Sequence, residues 1–139
     1  MVPKKTAKGH PWIWRARFWD HEPQTDIALL ERGYHVVWCD VAELFGNDEA
    51  LSIWNGFYKM LTRYGLAVKA VMEGMSRGGV YIYRWLVRYP MRVAAVYADA
   101  PVLDMKIFKN KNISYSVGAF VFVYIITNGM IYIVPFYLQ

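Results

Sequence analysis

Short apolar runs and helical repeats alternate between residues 23 and 98 of this chain. The runs at 34–41, 68–73 and 93–98 lie between glycine, proline or acidic residues, which is typical of buried parallel strands. Helical spacing of apolar residues follows Pro23 as far as Gly33 and recurs over 47–64 and 80–88. This order predicts an α/β fold, a three-layer αβα sandwich whose three strands are parallel neighbours.

The two ends of the chain do not follow this alternation. Residues 1–21 carry Pro3, Gly9 and Pro11 among polar and aromatic residues, which predicts a loop. From Ile113 to Gln139 no residue is charged, and Phe, Tyr, Ile and Val dominate. We therefore divide the chain into a partial α/β domain, residues 1–105, and an apolar tail, residues 106–139.

Three interpretations of the apolar tail stay open. Its uncharged stretch is long enough for a transmembrane helix, although Asn128-Gly129 and Pro135 interrupt it. The Asn128-Gly129 pair also favours the tight turn of a β-hairpin. The abrupt change of composition near Lys106 is typical of a truncated or frame-shifted gene, which would make the tail foreign to the fold. We favour this last interpretation, followed by the membrane span.

Composition narrows the classes of partner. The chain is 56% hydrophobic, which excludes a disordered protein, and its net charge of +5 comes from scattered Lys and Arg without a basic stripe. We therefore expect no nucleic-acid partner.

Cys39 is the single cysteine, so neither an internal disulfide nor a cysteine-based zinc site is expected, and we predict no metal or cofactor. The N-terminus lacks a signal-peptide pattern, which favours a cytoplasmic location, with membrane association through residues 113–139 as the alternative.

The segment Gly74-Met75-Ser76-Arg77-Gly78 carries the strongest candidate chemistry. In a Gly-x-Ser-x-Gly turn between a strand and a helix, glycines permit close backbone packing while the serine hydroxyl is exposed for nucleophilic attack. The backbone N–H of Arg77 would then point at the oxyanion, close to the positive end of the helix. A predicted strand precedes Ser76 and a predicted helix follows it, so a nucleophile is favoured over an ordinary structural turn.

Four stretches of the chain resemble bacterial α/β-hydrolases of the prolyl-oligopeptidase and esterase group. They are Pro11-Trp12-Ile13-Trp14-Arg15-Ala16-Arg17-Phe18-Trp19, His21-Glu22-Pro23-Gln24, Glu73-Gly74-Met75-Ser76-Arg77-Gly78-Gly79 and Tyr97-Ala98-Asp99-Ala100-Pro101-Val102-Leu103-Asp104. The resemblance covers residues 2–105 and implies a partial α/β-hydrolase fold, truncated at both ends. It also implies Ser76 as the nucleophile and a second oxyanion donor from the backbone of Trp12, Ile13 or Trp14.

The catalytic triad expected from this resemblance is incomplete. In α/β-hydrolases the acid and the histidine follow the serine in the chain, whereas His10, His21 and His35 all precede Ser76. Asp99 and Asp104 follow the third predicted strand and are the candidate acids. The base has no candidate in the expected order, unless His10 or His21 folds back toward Ser76.

Two functions therefore remain in competition. The first is a serine hydrolase that cleaves a small-molecule ester or peptide substrate by acyl transfer through Ser76. The second is a catalytically inactive, truncated remnant, attached to a membrane by its tail if the tail is a membrane span. A histidine downstream of Ser76 would favour the first function, and this chain has none.

Overall fold

A computed structural model describes residues 1–103, which form an α/β domain around a parallel sheet. Within these residues, four strands alternate with three α-helices and two short 3-10 helices. The elements are β1 (Trp12–Ala16), α1 (Gln24–Glu31), β2 (His35–Trp38), the 3-10 helix Ala42–Leu44, α2 (Asp48–Arg63), β3 (Ala70–Met75), α3 (Gly78–Arg88), the 3-10 helix Pro90–Arg92 and β4 (Val93–Asp99). The predicted α/β class is confirmed, and so are the three strands and three helices expected from the sequence.

The prediction of a loop over residues 1–21 is wrong at β1. The strand order is β2-β1-β3-β4 and every pair is parallel. β1 therefore separates β2 from β3, which we had expected to be direct neighbours. All five residues of β1 are buried, and a strand covered on both faces lacks the polar and apolar alternation that would reveal it in a sequence.

Helix α2 follows from its sequence more directly. The side chain of Asn47 caps its start by accepting a hydrogen bond from the backbone N–H of Ala50 at 2.9 Å. Leu51, Trp54 and Tyr58 are buried, as their helical spacing predicts. The helix ends at Arg63, just before Gly65, whose φ is +94°. A good cap and one apolar stripe are sufficient here to define a helix from sequence alone.

The two faces of the sheet have different chemistry. On one face, Trp14 packs against Trp54 of α2 and Trp85 of α3, with ring centroids 4.5 and 5.1 Å apart. On the other face, Arg15 and Glu73 meet Asp26 of α1. Neighbouring residues of β1 point to opposite faces, so Trp14 belongs to the aromatic core and Arg15 to a buried ionic cluster.

The strand order places a crevice between β1 and β3. From β1 the chain moves outward to β2, and it then returns to β3 on the opposite side of β1. In open parallel sheets, ligands bind at such a switch point, outside the carboxyl ends of the strands. Here the segments that meet at this edge are the β1–α1 loop, residues 17–23, and the turn at Ser76.

Asp104 and the apolar tail of residues 106–139 lie outside the described residues, so the domain boundary and the three interpretations of the tail stay predictions. Between residues 1 and 103, no helix combines the length and apolar character needed to cross a bilayer.

Candidate active site

Ser76 occupies a strained turn between β3 and α3. Its φ is +47°, in the left-handed region, which costs a residue with a side chain roughly 1 kcal/mol or more. Its N–H donates to the carbonyl of Asp99 at 2.9 Å, and its carbonyl accepts from the N–H groups of Gly79 and Val102 at 3.0 and 2.7 Å. These hydrogen bonds hold Ser76 in a conformation that it would not adopt readily by itself.

Two glycines allow the backbone segments around Ser76 to approach each other. A Cβ atom on Gly78 would lie 2.5 Å from the carbonyl oxygen of Ala16, the last residue of β1. A Cβ on Gly74 would lie 2.9 Å from the backbone of Gly78. The Gly-x-Ser-x-Gly pattern is therefore required by backbone contacts, which is the physical reason for this motif at a nucleophile turn.

The two predicted oxyanion donors occupy different environments. Arg77 lies at the start of α3, where backbone N–H groups have no acceptor inside the helix. Trp12, Ile13 and Trp14 instead lie within β1, in register with β2 and β3. Their placement in a loop over the nucleophile is wrong, because buried positions in a central strand are committed to the sheet. If the turn at Ser76 binds an oxyanion, a second backbone donor is more accessible in the residues that follow Ala16 than within β1.

The β1–α1 loop that follows Ala16 has an unusual backbone. Arg17, Phe18, Asp20 and Glu22 all have positive φ values, between +46° and +64°, although none of them is glycine. The ring of Phe18 lies 5.4 Å from the guanidinium carbon of Arg17 and 6.0 Å from that of Arg77. Phe18 thus brings this loop to the residue after Ser76. Clustered left-handed residues of this kind are concentrated at functional sites.

A buried ionic cluster supports the same loop from below. Arg15, Asp26 and Glu73 are 3%, 2% and 6% exposed. The Arg15 guanidinium donates to Asp26, lies 3.6 Å from a carboxylate oxygen of Glu73, and donates to the carbonyls of Phe18 (3.1 Å) and His21. Arg15 therefore links α1, strand β3 and the β1–α1 loop through one side chain.

Glu73 has an altered proton affinity in this cluster. Burial and the neighbouring Asp26 carboxylate raise its pKa from 4.5 to about 7, although Arg15 acts in the opposite direction. Asp26 Oδ1 and Glu73 Oε2 are both buried, and neither accepts a hydrogen bond from a donor in residues 1–103. Glu73 also lines a pocket of about 440 Å³ together with Met75 and Asp99, next to the Ser76 turn.

The histidines are divided between the two edges of the sheet. His35 begins β2 opposite Trp12, and His10 contacts the carbonyl of Gly65 at 3.0 Å through Nδ1. Both therefore lie at the amino edge, whereas Ser76 lies at the carboxyl edge, about 20 Å away for a strand of this length. His10 is thus excluded as the base. His21 lies on the β1–α1 loop, with its ring 6.5 Å from the ring of Phe18.

Asp99 is the candidate acid that lies within the described residues. It ends β4, in register with Met75, and its carbonyl accepts the hydrogen bond from Ser76 N–H. Its side chain is exposed and lines the pocket beside the turn. Asp99 therefore lies at the predicted edge, whereas no contact in residues 1–103 joins its carboxylate to a histidine.

Sequence reasoning missed the buried ionic cluster. Its signal was present: Arg15 interrupts the apolar run of Trp12–Ala16, and Glu73 ends an apolar run before the glycine turn. Charged residues in buried strands are costly unless they are paired. The partner Asp26 could not be identified, since it lies on a different element and only the fold brings it to Arg15.

Comparisons with known proteins add no relative. No protein-family profile matches the chain, and no curated protein or solved structure matches it significantly. Within residues 1–103, no group of His, Cys, Asp and Glu side chains is arranged to hold a metal ion.

Proposed function

We propose that this chain is a serine hydrolase of the α/β-hydrolase superfamily, acting on ester or peptide bonds by acyl transfer through Ser76. The observation that carries the proposal is the left-handed Ser76, held between β3 and α3 by hydrogen bonds to the backbone. A strained nucleophile at a sharp strand-to-helix turn is the defining feature of this superfamily. The proposal includes the finer fold assignment, a partial α/β-hydrolase with a three-layer αβα arrangement.

The surroundings of Ser76 support the same chemistry. The N–H of Arg77, at the start of α3, is the first candidate donor to an oxyanion, and α/β-hydrolases take the second donor from the loop after the strand that neighbours the nucleophile strand. Here that loop is the β1–α1 loop, since β1 pairs with β3. Arg17 and Phe18, directly after Ala16, are therefore our candidates for the second backbone donor.

Acyl transfer through Ser76 would proceed in two steps. The hydroxyl oxygen attacks the substrate carbonyl while its proton passes to a base, and the leaving group departs with a proton as the acyl-enzyme forms. Water then attacks the acyl-enzyme, releases the acid and restores the serine. The oxyanion of each tetrahedral intermediate is stabilised by the two backbone N–H groups.

The alternative is a catalytically inactive remnant that keeps the nucleophile turn. One observation favours it: within residues 1–103 no histidine is hydrogen-bonded to Ser76, and His10 and His35 lie at the opposite edge of the sheet. His21 is the histidine at the correct edge and is therefore the candidate base within residues 1–103. Attachment to a membrane through residues 113–139 belongs to this alternative.

Covalent labelling tests the proposed nucleophile. The full chain is incubated with a fluorophosphonate probe, and the modified residue is located by peptide mass spectrometry. We expect an adduct on Ser76 in the wild type and none in Ser76→Ala. Ser52→Ala is the matched control, since Ser52 is exposed on α2, and it should label like the wild type. An unlabelled wild type would overturn the proposal in favour of the inactive remnant.

The rate of p-nitrophenyl ester hydrolysis tests whether the site contains a base that activates Ser76. We expect little or no hydrolysis, because no histidine is hydrogen-bonded to Ser76 within residues 1–103 and both acylation and deacylation of an ester need a base. A fluorophosphonate is a much stronger electrophile than the ester and needs no deacylation, so it should still label Ser76 slowly. Rapid hydrolysis that Ser76→Ala abolishes would show that a base is present after all. His21→Ala would then have to lower the rate by at least about 100-fold if His21 is that base.

A further inference from the structure

The described residues hold one buried group of charges that the proposed chemistry does not use. Arg15, Asp26 and Glu73 are buried beside the crevice, and the acyl transfer proposed above assigns none of them a role. Burying charges is costly, so we expect this group to have a structural role. The contacts of Arg15 indicate that role, because two of them go to backbone carbonyls of the β1–α1 loop.

We infer that Arg15, Asp26 and Glu73 are positioning residues which hold the β1–α1 loop against the nucleophile strand, with one proton shared between the two carboxyl groups. The loop needs such support because four of its residues have left-handed backbone conformations. Arg15 fixes the loop at Phe18 and His21, and it contacts Glu73, three residues before Ser76. The role of the loop as an oxyanion donor rests on the proposed function, whereas its attachment to Arg15 does not.

The shared proton follows from the charges and the unpaired oxygens. One guanidinium faces two buried carboxyl groups, so the cluster carries a net negative charge unless a proton is retained. Each carboxyl has one buried oxygen without a partner, and the side chains of Glu73 and Asp26 lie close enough to hydrogen-bond if one of them is protonated, so a single proton between them would satisfy both. Burial and Asp26, which raise the pKa of Glu73 to about 7, agree with this arrangement. The other titratable groups around Glu73 are Glu22, Tyr97 and Asp99, which line the same pocket.

The attachment of the loop should therefore weaken as the shared proton is lost. If loop opening exposes Glu73 to water, its pKa changes from about 7 in the closed form to 4.5 in the open form. Linkage then predicts that the opening constant rises about tenfold between pH 6 and pH 8. The loop is firmly held at the lower pH and less firmly held at the higher one.

Hydrogen exchange of the full chain at pH 6 and pH 8 tests this inference. After correction for intrinsic rates, the protection of amides in residues 17–22 should fall about tenfold in the wild type. In Glu73→Gln the side chain can donate to Asp26 at every pH, so protection should not change with pH. Glu49→Gln, on an exposed glutamate of α2, should keep the wild-type response. Asp26→Asn provides the same test from the second carboxyl if Glu73→Gln does not fold.

Arg15→Lys tests the guanidinium itself. Lysine keeps the charge but cannot reach two carboxyl groups and two carbonyls together, so loop protection should fall at both pH values. Arg88→Lys, on an exposed arginine, should leave the loop unchanged. Equal wild-type protection at pH 6 and pH 8, or an unchanged pH response in Glu73→Gln, would overturn the inference. Fluorophosphonate labelling of Ser76 is read separately, so failure of the proposed function remains distinguishable from failure of the loop assignment.

Discussion

The two faces of the sheet use neighbouring residues of the same strand for different purposes. Trp14 packs in a buried aromatic cluster with Trp54 and Trp85, whereas Arg15 lies in an ionic cluster that contacts the β1–α1 loop. The aromatic face gains stability from buried area and does not depend on protonation. The ionic face offsets the cost of burying its charges by pairing them, and Arg15 hydrogen-bonds it to the strained β1–α1 loop. Stability and the geometry of the candidate site are therefore separable by mutation.

The largest expected effect is on the aromatic face. Trp54→Ala should lower the free energy of unfolding by about 3–5 kcal/mol, because it leaves a large cavity between α2 and β1. Urea denaturation measures this change. Trp19→Ala is the control, since Trp19 is 40% exposed, and it should cost less than about 1 kcal/mol. Equal losses in the two variants would contradict the assignment of stability to this face.

The ionic face should instead make stability depend on pH. The pKa of Glu73 is raised in the folded chain, so its contribution is fully present below pH 4.5 and is lost as the pH rises through about 7. The loss across this interval is at most about 3 kcal/mol. Urea denaturation at pH 5 and pH 8 should show it in the wild type, and the difference should shrink in Glu73→Gln. A wild type and variant that respond alike would exclude Glu73 as the source.

At the turn around Ser76 the expected effect is steric. Gly78→Ala would force a Cβ to within 2.5 Å of the Ala16 carbonyl oxygen, at a cost of about 1–3 kcal/mol. Gly56→Ala is the matched control inside α2, with open space around it, and should stabilise the chain by about 0.5–1 kcal/mol. Thermal unfolding should show a lower melting temperature for Gly78→Ala and a higher one for Gly56→Ala. A stabilising Gly78→Ala would show that the strand and helix are not in close contact.

The smallest effect concerns the strain at Ser76 itself. Ser76→Gly should be more stable than Ser76→Ala by about 0.5–1 kcal/mol, because both remove the hydroxyl and glycine alone relieves the left-handed backbone. In α2, Ser52→Gly should instead be less stable than Ser52→Ala by about 1 kcal/mol. Denaturant titration of the four variants gives both differences. If the Gly variant were less stable than the Ala variant at both positions, the backbone at Ser76 would not be strained.

The sequence was most informative where local rules act alone. Asn47 and the stripe of Leu51, Trp54 and Tyr58 predicted α2, and the glycine pattern predicted the strand, turn and helix around Ser76. β1 was missed because its five residues are all buried and carry no period. Because β1 was missed, the sequence-based assignment named Trp12, Ile13 or Trp14 as the second oxyanion donor. The strand order instead favours the proposal that this donor lies in the loop after Ala16. The Arg15, Asp26 and Glu73 cluster was not anticipated.

The sequence by itself determined the α/β class and the position of Ser76 between a strand and a helix, since periodicity, caps and glycines act over a few residues. It also established that every histidine precedes Ser76. Only the tertiary structure decided that β1 lies between β2 and β3, which histidines share the edge with Ser76, and that Arg15 meets two carboxyl groups. These features depend on pairing between distant segments, where burial on both faces and the cost of unpaired charge select one arrangement that no local pattern encodes.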